Sequence, residues 1–516
     1  MSEESQEITP GGYTWLQIDN QDDYEKLDGI LDVEFGPIAI AQELKNNISD
    51  VVSGVLVEHD YIDKDYRSTF YNFYAKMGRA YRQDCVRLHF FDKDVTFSES
   101  PLELRGPDSW LEHHYFGYVV LRPTITATFG RSLLSPRIRI GARGNAIQAC
   151  HKVHLLGYKL SVWGFPSMAQ HADISVCAHV SCWAILRHYS EKYAQHRELL
   201  VHDITMLAKP FDPGGLTPSL GLNVYEAERI FQAAGCYPVM IVREWDEDEK
   251  GRQKWVNDGR FFAQLLSYLD SGFPLFVSLQ SEGMDNEGHA IVLAGYEWRD
   301  EREDSNRDNS HVWSLVSSLL AVDDNRLPYS TVGIGDGTKS EVEIESYTAD
   351  DFDAFIVPLP DKIFYPALAV ESFSRNTMYP IYKAVLNLPE EDTLLQRYFI
   401  TTVSALRRFA RENVSQFGDE LADLLMHLKT TQFVWVIEYA SEEQWKKKHI
   451  TVRMVLDASA SQKDEQPMWL CHNHNLAFVF DRSSGGIKGR KIQLRRPADT
   501  PLTRMETNLR PVKWYQ

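Results

Sequence analysis

Between Pro166 and Tyr193 the chain runs from turn-forming text into a long amphipathic stretch, 166-PSMAQHADISVCAHVSCWAILRHYSEKY-193. The helix this predicts begins near Cys177 and carries Val180, Ala184, Leu186 and Tyr189. A side chain at such a helix start faces unsatisfied N–H groups and the positive end of the helix dipole. The feature therefore constrains chemistry as well as fold. Downstream, 214-GGLTPSLGLNVYEAERIFQAAGC-236 reads as a loop and then a helix from about 223, closed by Gly235. A helix ending in glycine (260-RFFAQLLSYLDSG-272) precedes strands at 274-PLFVSL-279 and 289-HAIVLAGYEW-298. The charged stretch 299-RDEREDSNRDNS-310 reads as an insertion or mobile loop, and 311-HVWSLVSSLLAVDD-324 as a strand-rich return. Helices thus come first and an antiparallel strand series second.

At 516 residues the chain exceeds what one hydrophobic core organises. The textures divide it into an N-terminal α+β domain (1–165), a core unit (166–365) and a C-terminal α+β domain (366–516). Residues 1–20 read as loosely ordered. In 65-DYRSTFYNFYAKMGRAYRQ-83, Phe70, Phe73, Tyr74, Met77 and Tyr81 recur at helical spacing, an aromatic stripe of the kind that forms core. Strands are expected at 85–91, 116–123 and 124–130. In the last domain, helices are expected at 379–388 and 393–413, and strands at 432–440, 450–459 and 476–481.

Lys and Arg number 54 against 73 Asp and Glu, for a formal net charge of -19. That balance opposes a generic nucleic-acid or anionic-membrane partner, because phosphates call for a basic face. The basic stretches 446-KKK-448 and 488-KGRKIQLRR-496 read as solvated surface. No segment approaches the ~18 uninterrupted apolar residues of a membrane span. The acidic start MSEESQEITPGGY has no basic and apolar regions of a secretory signal. Six scattered cysteines without a CxxC pair suit a reducing compartment, so a cytoplasmic location is expected.

Acyl-transfer chemistry is the reading these residues support. A thiol attacks carbonyls as the thiolate, which a helix N-terminus and a nearby imidazole favour. Cys177 occupies such a start. Its backbone N–H, with the side-chain amide of Gln170, would form an oxyanion hole. His289, after a glycine and at the head of an apolar strand, is the candidate base. The next strand ends at Asp323, with Asp324 and Asn325 following, and a carboxylate there would orient the imidazole. The choice between the two carboxylates stays open in the sequence.

The stretch 170-QHADISVCAHVSCWAILRHY-189 resembles the nucleophile segment of papain-like cysteine peptidases, nearest to the bacteriocin-leader peptidases and their relatives. The resemblance continues through 272-GFPLFVSL-279 and 288-GHAIVLAGY-296 to 322-VDDNRLPY-329, and covers about residues 166–360. It implies an α+β fold with a papain-like core: a helix carrying Cys177 and an antiparallel sheet carrying His289 and Asp323. It also implies Gln170 at the oxyanion hole, a peptide or protein substrate, and no metal or organic cofactor. The flanking 117-GYVVLRP-123 and 130-GRSLL-134 resemble uncharacterised bacterial proteins. This chain departs from the family in having one extra residue between Gln170 and Cys177, and Ala178 where the family has glycine. A rival nucleophile, Cys182, lies in 181-SCWA-184 but has Val176 where the glutamine should stand and falls inside the helix.

Two alternatives share these residues. The same thioester resolved by an amine or at a glutamine would make a transglutaminase, acyltransferase or deamidase. A degenerate site would leave a peptide-binding protein. Other motifs are weaker. The run 471-CHNH-474 and the pair His113 and His114 lack partners at zinc spacing. The run 333-GIGDGTKS-340 has Thr338 where a phosphate loop needs glycine, and strand-like text follows it.

Overall fold

The computed structural model describes residues 12–31, 38–76, 81–92, 95, 107–124, 128–170, 177–208, 222–247, 253–256, 258–279, 288–299, 310–334, 347–390, 394–481, 488–495 and 501–512. Helix and sheet are mixed throughout, around three large antiparallel sheets.

Continuous apolar runs build the first sheet. Tyr115–Arg122 is buried at every position, so both of its faces must be covered. Alternation does this: Val119 and Leu121 face one cluster with Val55, Leu88 and Phe90, while Tyr118 and Val120 face another with Leu56, Phe91 and Leu133. The strand order is Tyr13–Gln17, Val52–Tyr61, Cys85–Asp92, Tyr115–Arg122, Thr128–Leu134, Tyr158–Ser167 and Ala149–Leu155.

The second sheet carries the region of interest. Its order is Ser330–Gly333, Val316–Val322, His289–Trp298, Leu275–Leu279, Phe352–Leu359 and Tyr237–Val242. The helix Cys177–Lys192 lies on it, with Ala178 to Tyr189 all buried. Ser181 Oγ donates to Ala290 O (3.2 Å) and Tyr189 OH to Pro358 O (2.8 Å). Both flanks are sewn into this sheet. Asn145–Ala146 pairs with Gly295 and Tyr296, and Arg510–Pro511 pairs with Asn145–Ala146 in turn. Gly295 permits this approach, since a Cβ there would sit 2.4 Å from Asn145 O.

The third sheet runs Leu395–Thr402, Phe433–Ala440, Val452–Asp457, Met468–His472, Leu476–Asp481 and Lys488–Gln493. It shares one apolar core with the second, extending from Ala142 to Val512. A buried ionic cluster crosses the joint. Arg397 Nε donates to Asp270 Oδ2 (2.7 Å) and its Nη1 to Glu438 Oε2 (3.0 Å), while Arg453 also donates to Glu438.

Four expectations are corrected. Residues 393–413 are not one helix: Leu395–Thr402 is a strand and the helix is Val403–Glu412. Tyr398, Phe399, Ile400, Thr401 and Thr402 are aromatic or β-branched, and burial is continuous from Leu395 to Thr401 rather than helical in period. The helix expected at 65–83 is only Lys64–Asn72, because Phe73 leaves helical geometry (φ -129°, ψ -69°) and a short 3-10 turn follows. Met77 lies outside the described residues. The start is not loose throughout, since Tyr13–Gln17 pairs with Val52–Tyr61. The strand expected at 124–130 lies at Thr128–Leu134. Most of 299–310 and of 333–347 also lies outside the described residues. No helix among those described is long and apolar enough to cross a membrane.

The strand-to-helix switch rests on Thr402, whose side chain accepts from the Ala405 N–H at 3.1 Å. Thr402→Ala is expected to lower unfolding free energy by about 1 kcal/mol, the usual worth of an N-cap, and Thr402→Ser to lower it much less, both read by chemical denaturation.

Candidate active site

Cys177 is the first residue of its helix and is half-buried, so the thiol sits where the helix presents free N–H groups. Cys182 lies further along the same helix and is fully buried. Burial, then the neighbouring Cys236 and Cys177, push its thiol well above the ordinary range.

Sheet register brings the other two groups together. Val292 pairs with Val322 in antiparallel strands, so the start of the His289 strand and the exit of its neighbour lie at one end. His289 Nε2–H donates to Asp323 Oδ1 at 3.2 Å. Asp323 is itself held, accepting from the Asn325 N–H on Oδ1 (2.9 Å) and from Tyr347 OH on Oδ2 (2.7 Å).

The electrostatics follow from these contacts. Burial alone would lower the His289 imidazolium, but hydrogen bonds to Asp323 and Cys177, and their charges, carry its pKa up to about 10. Burial alone would raise Asp323, but His289, the Asn325 N–H and Tyr347 hold it down at about 2. Asp324 has no such support. Its Oδ1 is 3.9 Å from His289 Nε2. Burial and the charge of Asp323 outweigh the imidazole and raise it to about 7. The two carboxylates left open in the sequence are thus separated by their surroundings: Asp323 bonds the imidazole and Asp324 stands behind it.

Gln170 lies against the same turn. Its backbone N–H donates to Asp324 O (3.3 Å) and its Nε2 to Asn325 Oδ1 (3.0 Å). Arg122, from the first sheet, donates to the carbonyls of Ala169 (2.9 Å) and Gln170 (3.3 Å). One of the two amide protons of Gln170 is committed to Asn325, which leaves the other for a ligand. Residues 171–176, between Gln170 and Cys177, lie outside the described residues.

Residues 162–315 match the model of the Peptidase_C39 like family. The match supports a relationship to papain-like cysteine peptidases. The matched segment contains Gln170, Cys177 and His289 and ends before Asp323. No curated protein matches the chain.

Two residues of the site escaped the sequence. Tyr347 bonds Asp323 from 24 positions downstream, in strand-like text with no motif to mark it. Arg122 lies in an apolar run of the first sheet and reaches Gln170 only through the tertiary fold. Among the described residues, His289, Asp323 and Asp324 form the cluster whose ligand atoms could hold a metal, all within 4.8 Å of one another. Cys471 and His472 are buried in the strand Met468–His472, where His472 Nδ1 lies 3.3 Å from Asn473 O. His114 pairs with Asp92 at 2.7 Å.

The signs of these shifts define a pH window. His289 titrates above its ordinary 6.5, so its contribution to stability is whole below 6.5 and fades as pH rises towards about 10. Asp323 titrates below its ordinary 3.8, so its contribution is whole above 3.8 and fades as pH falls towards about 2. Nuclear magnetic resonance titration of His289 is expected to give a midpoint well above 7 in the wild type. In Asp323→Asn the midpoint should fall by more than one pH unit, since an ion pair shifts its partners by about 1–3 units. An unchanged midpoint would contradict the pairing.

Proposed function

We propose that the chain is a cysteine hydrolase that cleaves amide bonds in a peptide or protein, with a papain-like core spanning about residues 166–365. The observation that carries this reading is His289 placed close enough to Cys177, at a helix start, for the thiol to raise the imidazole's pKa, with Nε2 of the same ring bonded to Asp323. The family match over the same segment supports it.

In this reading Cys177 attacks the carbonyl carbon as thiolate, its proton held on His289. The C–S bond forms as the carbonyl π electrons move to oxygen. The backbone N–H of Cys177 and the spare amide proton of Gln170 receive that oxyanion. Collapse breaks the C–N bond, and the leaving amine takes the proton from His289. Water, deprotonated by His289, then attacks the thioester and releases a carboxylic acid and the free thiol. Asp323 keeps Nε2–H pointed away from the thiol, so that Nδ1 exchanges the proton. Tyr347 and the Asn325 N–H hold Asp323 in its ionised form, which is the form that orients an imidazolium.

Position and burial both favour Cys177 over Cys182. Cys182 has no access to solvent, and its thiol is pushed away from ionisation. Cys177→Ala is expected to abolish labelling by an iodoacetamide probe at neutral pH and all turnover of a peptide library. Cys182→Ala should retain both and lose only about 1 kcal/mol of stability, as for a small deletion from a core. The reverse pattern would overturn the assignment, and a wild-type Cys177 inert to the probe would point to a peptide-binding protein without catalysis.

A further inference from the structure

The inner end of the site holds more negative charge than hydrolysis uses. Asp324 is 4% exposed, and neither of its carboxylate oxygens has a hydrogen-bond partner among the described residues. One imidazolium faces two buried carboxylates, so with Asp323 ionised the second, Asp324, needs either a proton or further positive charge. The side chain faces the pair already described. Its Oδ1 is 3.9 Å from His289 Nε2, and Asp323 Oδ1 is 3.2 Å from the same nitrogen. One ligand atom from each of the three residues falls within 4.8 Å of the other two. Zinc bonds to nitrogen and oxygen at about 2.0–2.2 Å, which sets tetrahedral ligand atoms about 3.3 Å apart. The two nitrogen–oxygen separations, 3.2 and 3.9 Å, lie near that spacing, and the ligand atoms of the two aspartates lie within 4.8 Å of each other.

We propose that His289, Asp323 and Asp324 form a binding site for one divalent transition-metal ion of the zinc type, and that the bound ion switches the thiol site off. The switching half rests on the hydrolase reading above; the binding half does not. One imidazole nitrogen and two carboxylate oxygens suit zinc and its first-row neighbours better than magnesium, which keeps most of its waters. Two buried carboxylates and a neutral imidazole carry two negative charges, which a divalent ion cancels. On binding, the Nε2 proton leaves to solvent and the Nε2 lone pair goes to the metal. The proton that remains on the neutral ring then sits on Nδ1. The ring is then neutral, so the Cys177 thiolate loses the cation that favoured it and takes a proton from solvent, and Nδ1, already protonated, has no lone pair with which to remove that proton again. Water fills the remaining coordination position. The competing account is a single proton shared between Asp323 and Asp324, which needs no metal.

The test is calorimetric titration of the chelator-treated full chain with zinc chloride alone, in the wild type, Cys177→Ala and Asp324→Asn, each checked for folding by circular dichroism. The expected result is one ion per chain in the wild type and in Cys177→Ala, with affinity about tenfold or more weaker in Asp324→Asn. Absence of saturable binding to the wild type overturns the site in favour of the shared proton. Binding that Asp324→Asn leaves unchanged overturns it as well, as does binding lost in Cys177→Ala, which marks a thiol–imidazole site. Should Asp324→Asn not fold, cobalt(II) replaces zinc in the wild type. A spectrum without a thiolate charge-transfer band is expected there, and a strong band overturns the proposal. The switch is read by iodoacetamide labelling of Cys177 with and without zinc, where slower labelling at saturating zinc is expected. Labelling unchanged by saturating zinc overturns the switch. A thiol inert even in chelator, in a chain that binds zinc, sinks the hydrolase reading and leaves the metal site standing.

Discussion

The turn from Asp323 to Ser330 depends on one buried guanidinium. Arg139 is 2% exposed and donates to Pro328 O (2.7 Å), Asn47 O (2.9 Å), and Leu327 O and Ser330 Oγ (each 3.5 Å). Burial lowers its pKa to about 10, yet it remains a cation at neutral pH. A charge so placed has to keep all its acceptors, because losing one leaves a buried group unsatisfied at a cost of about 1–3 kcal/mol. The turn is therefore rigid where Asp323 leaves its strand. Glu43 accepts from the Leu327 N–H (3.2 Å), and Tyr329 OH accepts from the Phe165 N–H (2.6 Å). Tyr329 takes a positive φ of 65° to fit, a strain that the surrounding contacts hold in place.

The same flank grips the helix. Asp65, from Lys64–Asn72, accepts from Arg187 at 2.9 and 3.0 Å and from Trp183 Nε1 at 3.1 Å. Removing one partner of a buried ion pair of this kind costs about 3–5 kcal/mol, far more than a surface pair. Residues ahead of position 166 thus fix the Cys177 helix through Asp65, the Asp323 turn through Arg139 and Gln170 through Arg122. The thiol and the imidazole sit on different elements, so their separation is set by contacts the central sheet does not make by itself.

Much of the site was legible because its chemistry is local. A cysteine at a helix start, a glycine before His289 and a carboxylate at a strand exit each show in a few adjacent residues. The helix Cys177–Lys192 and the strand His289–Trp298 begin where the sequence places them. The misreading of 393–413 has a local cause too: helix formers from Ala405 onward masked the β-branched run ahead of them, and only pairing with Phe433–Ala440 and Thr402 as cap draws the boundary. Tyr347 and Arg122 could not be read, because hydrogen-bond partners distant in sequence leave no periodic trace.

From its sequence alone the chain determined the residue types the site draws on, their order, and the elements that carry them. Periodicity and capping are properties of neighbouring residues, and they suffice to set a cysteine at a helix end and a histidine at a strand end. The tertiary structure alone decided which aspartate bonds the imidazole. Asp323 and Asp324 are identical side chains in adjacent positions, and nothing in their local sequence separates them. Asp323 gains an N–H, a phenol and an imidazolium and is held as a carboxylate, while at Asp324 burial and the charge of Asp323 outweigh the more distant imidazolium and push it up to about 7. The physical reason is that the free energy of a buried charge is set by the dipoles and charges packed around it, and those come from segments far apart in the chain.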